Sequence, residues 1–169
     1  MSDGVPYKQH TISILVENHF GAFNRIAGMF AAKGYNIDSL TVGITEEPDV
    51  SRMTIVTRGD DQIIEQIVKQ LHKLIDTIKV VDLTFEPFVE RELVLVKVQS
   101  TASTRAEIMQ ISEIFRAKVV DISPKTLMLE ATGSEQKVDA IINMLKPFGI
   151  REMARTGRVA LKREFQGEV

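Results

Sequence analysis

Cysteine and tryptophan are both absent from the 169 residues. The first absence excludes disulfides, thiolate catalysis and cysteine-ligated metal, and it fits a reducing compartment. Histidine is scarce: His10, His19 and His72 are the only three, and none has a second histidine at ligand spacing. Charge of one sign is missing too. A formal net charge of −2 gives no electrostatic case for nucleic acid. No apolar run approaches the ~20 residues that span a membrane, and the N-terminal "MSDGVPYKQH" has no apolar core of the kind a signal peptide needs. The expectation is a soluble cytoplasmic protein. No G-x-G is present either, since Gly21 and Gly28 stand seven apart, so there is no dinucleotide fingerprint. No serine or threonine sits in a nucleophile elbow. The acidic pairs have plainer explanations, Glu46/Glu47 as a solvated loop before Pro48 and Asp60/Asp61 as the opening of a helix, where capping accounts for them. The chain therefore shows no catalytic site and no metal site of its own.

What is present is a pattern written twice. Apolar residues make up 44% and charged residues 26%, enough for one ordinary domain or two small ones. Residues 10–16 read as a strand with Ile12, Ile14 and Val16 on one face. Residues 21–34 read as a helix, with Phe23, Ile26, Ala27 and Phe30 at i, i+3, i+4, i+7 and Gly34 as its stop. Strands over 35–45 and 51–59, a helix over 60–75 and a strand over 78–86 complete a β-α-β-β-α-β order. Pro87 punctuates, and the order returns: strand 91–100, helix 104–117, strands 118–123 and 125–133, helix 134–149, strand 150–157, then a tail with room for a short edge strand. The fold class is α+β, two tandem ferredoxin-like units over 9–86 and 92–169, each an antiparallel sheet with two helices on one face. Ile12, Ile14 and Ile55 are expected to supply an apolar, helix-free face suited to dimerisation.

Two stretches invite a functional reading. The tail carries Arg151, Arg155, Arg158, Lys162 and Arg163, interrupted by Glu152 and Glu164 and by no aromatics, which reads as a solvated edge rather than a nucleic-acid surface. The stretch "ENHFGAFNR" (17–25) ends a strand and opens a helix. Unpaired N–H groups and the helix dipole make such a turn an anion site. An α-amino acid would fit it, with its carboxylate on the N–H groups and its ammonium on the Asn18 carbonyl oxygen. The simpler alternative is that Asn18 caps the helix and Gly21 supplies a positive φ.

The match to known sequences is wider than one loop. "ENHFGAFNRIAGMFAAKGYNIDSLTVG", "SRMTIVTRGDD", "KQLHKLIDTIKVVDL" and "VERELVLVKV" follow one another as in the regulatory (small) subunit of acetohydroxyacid synthase, also called acetolactate synthase. The chain resembles that family from about residue 9 to 163, and its N-terminal half looks like an ACT domain. The resemblance implies a non-catalytic subunit that activates a separate catalytic subunit and confers feedback inhibition, usually by valine, in branched-chain amino acid (valine, isoleucine, leucine) synthesis. Thiamine diphosphate, Mg²⁺ and FAD are then expected in the catalytic subunit and no cofactor in this chain. It further implies a homodimer through paired ACT domains, with the effector between them. One wall maps to Asn18, Gly21, Ala22 and Phe23, the other, from the partner chain, to Asn36 and Ile37. Phe23 replaces the family's usual leucine, and "HF" at 19–20 is bulkier than usual there. A free-standing tandem ACT-like sensor of transcription or of another enzyme is the alternative, though no helix-turn-helix is visible. A metalloenzyme or nickel sensor lacks the histidines and cysteines it would need.

Overall fold

A computed structural model describes residues 8–164. The first unit runs β1 (Lys8–Glu17), α1 (Ala22–Lys33), β2 (Ser39–Ile44), β3 (Val50–Gly59), α2 (Asp61–His72) and β4 (Thr77–Asp82). Its antiparallel sheet has the order β2-β3-β1-β4, the ferredoxin-like arrangement. Strand alternation decides the rest. Ile12 lies opposite Ile55 and Ile14 opposite Met53, and all four pack with Ile26 and Phe30 of α1 and Ile64, Ile67 and Leu71 of α2. Each such side chain contributes about 1.5–3 kcal/mol on burial.

This phase corrects the expectation that Ile12, Ile14 and Ile55 line a helix-free face. They lie under the helices. The opposite face carries Thr11, Ser13 and Leu15 of β1 and Arg52, Thr54 and Val56 of β3, with Arg52 donating to the Ser13 hydroxyl at 2.8 Å. The helix phase shifts likewise. Ala22, Ile26 and Phe30 are the buried residues of α1, whereas Phe23 is 46% exposed.

The second unit repeats the order with β5 (Phe88–Gln99), α3 (Arg105–Ile114), β6 (Lys118–Ile122), β7 (Thr126–Gly133), α4 (Glu135–Leu145) and β8 (Ile150–Arg155). Its sheet runs β6-β7-β5-β8. Val94, Val96, Val98, Leu127 and Leu129 pack against Ile108, Ile111, Val138, Ile141 and Leu145. Among the described residues, the division falls between 8–89 together with 160–164, and Glu90–Val159. The tail therefore clusters with the first unit, whereas the sequence reading grouped 92–169. Its strand β9 (Val159–Lys162) pairs with β5. Residues 1–7 and 165–169, which hold most of the "MSDGVPYKQH" stretch and the end of the tail, lie outside the described residues.

Of the basic residues toward the C-terminus, Arg151, Arg155, Lys162 and Arg163 are exposed, as a solvated edge would have them, while Arg158 is buried, and several are paired. Arg155 makes a two-pronged contact with Glu92 at 2.7 and 2.9 Å and reaches Asp139 at 2.9 Å. The Glu92 carboxylate, with Asp139 adding to it, raises the guanidinium pKa further above its ordinary value. Arg158 is buried on Glu90 and Glu135, and Lys162 meets Glu86 at 3.0 Å. Among the described residues, no helix is long and apolar enough to cross a membrane.

Helix ends follow local chemistry. Asp60 caps α2 by accepting from the Ile63 N–H at 2.8 Å. Gly34, at φ 70°, closes α1 with its own N–H on Ala31 O and the Tyr35 N–H on Phe30 O, a Schellman pattern. Residues 35–38 are irregular rather than strand, so β2 begins later than its β-branched sequence suggests.

Candidate functional site

The first half of the site is the turn from β1 into α1. The β1–β4 register shifts between Leu15 and Val16, and the strand then ends in two anchors. The Glu17 N–H donates to Asp76 O at 2.9 Å and the Asn18 N–H to Asp49 O at 2.7 Å. The Asn18 side chain does not cap α1. Its amide donates to Pro48 O at 2.9 Å, and among the described residues no donor reaches its carbonyl oxygen. Gly21 stands at φ 97°, ψ −15° as the N-cap, and α1 has no side-chain cap. A side chain there would meet no neighbour within 4 Å, so glycine is required by its dihedral alone, at about 1–2 kcal/mol for another residue. The Ala22 N–H reaches back to His19 O at 3.3 Å. Among the described residues, the N–H groups of Phe23 and Asn24 find no acceptor. The plain-cap alternative is thus half right: Gly21 supplies the positive φ, and Asn18 leaves the helix end open.

The second half sits beyond the other end of α1. Asn36 is exposed, and its amide donates to Asp38 Oδ1 at 2.7 Å. Its carbonyl accepts from the Thr57 hydroxyl. Asp38 in turn accepts from Arg58 Nε at 2.7 Å. Ile37 is half-buried against the core. The ten helical residues 24–33 separate the two halves, roughly 15 Å at 1.5 Å each. Within one chain, Asn18, Gly21, Ala22 and Phe23 come together, and Asn36 and Ile37 come together, but the two groups do not meet.

A third feature was not read from the sequence. His19, Asp76 and Arg25 converge on the β1–α1 turn. Asp76, in the α2–β4 connection, has a side chain only 4% exposed. It accepts from His19 Nε2 at 2.6 Å on one oxygen and from Arg25 at 2.7 Å on the other. His19 Nδ1 lies 3.1 Å from Phe20 O, and Glu17 is 3.5 Å from Nε2. The Phe20 carbonyl, then Asp76, raise the His19 pKa above its ordinary value. Glu17, His19 and Asp76 have donor atoms close enough for a cation, yet Arg25 already fills one Asp76 oxygen, so the group reads as an ion-pair network. Asp76 is 57 residues from His19 in sequence, and no local pattern could have joined them. His10, far from the turn, is buried and bonded to Asp82 at 2.9 Å, with Phe85 edge-on.

The equivalent turn of the second unit is built from different residues. Its strand end repeats the anchors: Gln99 N–H on Gly149 O at 2.8 Å and Ser100 N–H on Lys125 O at 2.8 Å. Beyond them, Thr101 and Thr104 exchange side-chain-to-backbone hydrogen bonds of 3.0 and 3.3 Å within the turn, while α3, like α1, has no side-chain cap. Arg105 folds back onto the Ser100 hydroxyl at 3.1 Å and Ser123 O at 2.7 Å.

Comparison with known proteins places both halves of the chain. A family model for the small subunit of acetolactate synthase matches residues 91–164, and a model for the AHAS small subunit-like ACT domain matches 12–79. An acetolactate synthase small subunit from Aquifex aeolicus is 57% identical over 158 residues, covering 93% of this chain and 82% of the relative. A probable acetolactate synthase small subunit from Archaeoglobus fulgidus is 52% identical over 155 residues, covering 92% and 97%. The crystal structure of the acetolactate synthase small subunit from Thermotoga maritima superposes with a TM-score of 0.86 at 43% identity, covering 94% of this chain and 99% of that one.

Proposed function

The chain belongs to the acetolactate synthase small-subunit family, and from that premise we propose that it senses valine and passes the signal to a catalytic subunit. In this reading two copies pair through their first units. The effector sits between the β1–α1 turn of one and the Asn36–Ile37 segment of the other. The observation that carries the reading is the helix start itself: Gly21 at positive φ, no side-chain cap, and an Asn18 carbonyl oxygen that no donor reaches among the described residues. The N–H groups of Phe23 and Asn24 would take the effector carboxylate, and Asn18 its ammonium. Ala22 and Phe23 would shape the near wall and Ile37 would face the aliphatic side chain, while Asn36 would reach the polar end. The separation of the two halves within a chain supports a shared site.

Thiamine diphosphate, Mg²⁺ and FAD would belong to the catalytic subunit, which would carry out the committed step toward valine, isoleucine and leucine in the cytoplasm. Binding must favour one arrangement of the pair to shift anything, with a coupling of about 1–3 kcal/mol. Valine over isoleucine is a matter of one methylene, about 1–3 kcal/mol in a fitted pocket. The test is reconstitution. Asn18→Ala and Asn36→Ala are each expected to abolish valine inhibition of the reconstituted enzyme while activation persists. Full valine sensitivity in both variants would contradict the site.

A further inference from the structure

The ring of His19 meets two groups that can only accept. Phe20 O is a carbonyl and Asp76, held also by Arg25, is a carboxylate, so both ring nitrogens must carry hydrogen for the arrangement to stand. The geometry therefore requires an imidazolium. Its neighbours agree. The charged groups facing it are Glu17 from β1, Asp76 from the α2–β4 connection and, across Asp76, Arg25 from α1.

The same contacts tie three segments together. Asp76 receives the Glu17 N–H through its backbone, and His19 and Arg25 through its side chain. His19 O receives the Ala22 N–H. The turn that leaves the α1 N-terminus open is thus held from outside at Asn18, by Asp49 O and Pro48 O, and at His19, by Asp76, and the second of these braces depends on a proton.

We infer that Asp76 and His19 are positioning residues of the effector turn: the Arg25–Asp76–imidazolium chain holds residues 18–22 in the open shape, so effector binding weakens when His19 loses its proton. This rests on the effector reading above and adds a regulation to the same site. The direction follows from linkage. A raised pKa means the folded turn prefers the charged ring, so the brace is complete at low pH and is lost as pH rises through the His19 pKa. Neutral His19 must surrender either the Phe20 or the Asp76 contact.

The experiment pairs two readouts on the full chain. In the first, a pH titration follows the His19 ring and the backbone amides of residues 18–22 by NMR without effector. The expected result is a shared midpoint in the wild type and a flat profile for those amides in His19→Gln. Asp76→Asn should bring the His19 midpoint down toward the ordinary value of about 6.5. In the second, L-valine affinity is measured across the same range by calorimetry. It should fall on the order of tenfold through the His19 midpoint in the wild type and stay constant in His19→Gln. Amides that ignore His19, or a His19→Gln affinity with wild-type pH dependence, would overturn the inference. Failure of the wild type to bind valine at any pH would overturn the effector reading instead, and the amide titration would then decide the brace alone.

Discussion

The two units share a topology, a bulge and a pair of strand-end anchors, yet they finish the first β–α turn in opposite ways. Register shifts at Leu15/Val16 and at Lys97/Val98. Glu17 and Asn18 are anchored as Gln99 and Ser100 are. After that the first unit spends a left-handed glycine, while the second ties its turn with Thr101 and Thr104 and folds Arg105 back across it; neither α1 nor α3 has a side-chain cap. A helix start is an anion site only while its N–H groups are unclaimed. The fold supplies the same frame twice, and the turn residues finish it differently: a left-handed Gly21 in the first unit, a Thr101–Thr104 tie with Arg105 folded back in the second.

The largest expected effects test what the units share. Leu71 and Leu145 are both fully buried near the C-termini of their second helices. Leu71→Ala and Leu145→Ala should each cost about 2–5 kcal/mol, read by urea denaturation. A loss confined to one of them would break the equivalence of the cores. Next come the turns, where the units should differ. Gly21→Val forces a β-branched residue to φ 97° and should cost about 1–3 kcal/mol with loss of valine response. Thr101→Ala removes the hydrogen bond from the Thr104 N–H instead, costing about 0.5–1.5 kcal/mol, and should leave valine response intact.

The helix ends sharpen the comparison further. α1 stops at Gly34, but α3 is followed by Arg116 at φ 52°, with the Ala117 N–H on Ser112 O. Arg116→Gly should raise stability by up to about 1 kcal/mol, bringing the second unit's helix stop to the glycine form of the first. Glu65→Gln is the smallest expected change. The Lys69 hydrogen bond holds the Glu65 carboxyl below the usual range. A depressed pKa contributes above the unfolded value and is lost as pH falls, but this pair is exposed, so the melting midpoint should not shift measurably at neutral pH.

These contrasts also mark what could be read before the structure. The repeat was legible because strand and helix periods alternate in the same order twice, with Gly34 and Pro87 punctuating. The phase of β1 was not. Ile12 and Ile14 are apolar on either reading, and which sheet face lies under the helices depends on Ile26, Phe30 and Ile64 arriving from elsewhere. Phe23 fits a helical stripe by spacing, yet Ala22 takes the inward position beside Gly21. In the turn, the glycine was readable from its own dihedral demand. The role of Asn18 was not, because its partner Pro48 lies thirty residues on. The ion pairs of the basic residues near the C-terminus, and the burial of Arg158, were hidden for the same reason: Glu86, Glu90, Glu92 and Glu135 are distant in sequence and adjacent in space.

The proposed effector site lies at the β1–α1 turn and not at its counterpart in the second unit. Calorimetric titration of the full chain with L-valine, with D-valine as control, tests it most directly. The account predicts stereospecific binding of one L-valine per chain, lost in Asn18→Ala and unaffected by Thr101→Ala. No heat with L-valine, equal binding of both enantiomers, or two molecules per chain would contradict it.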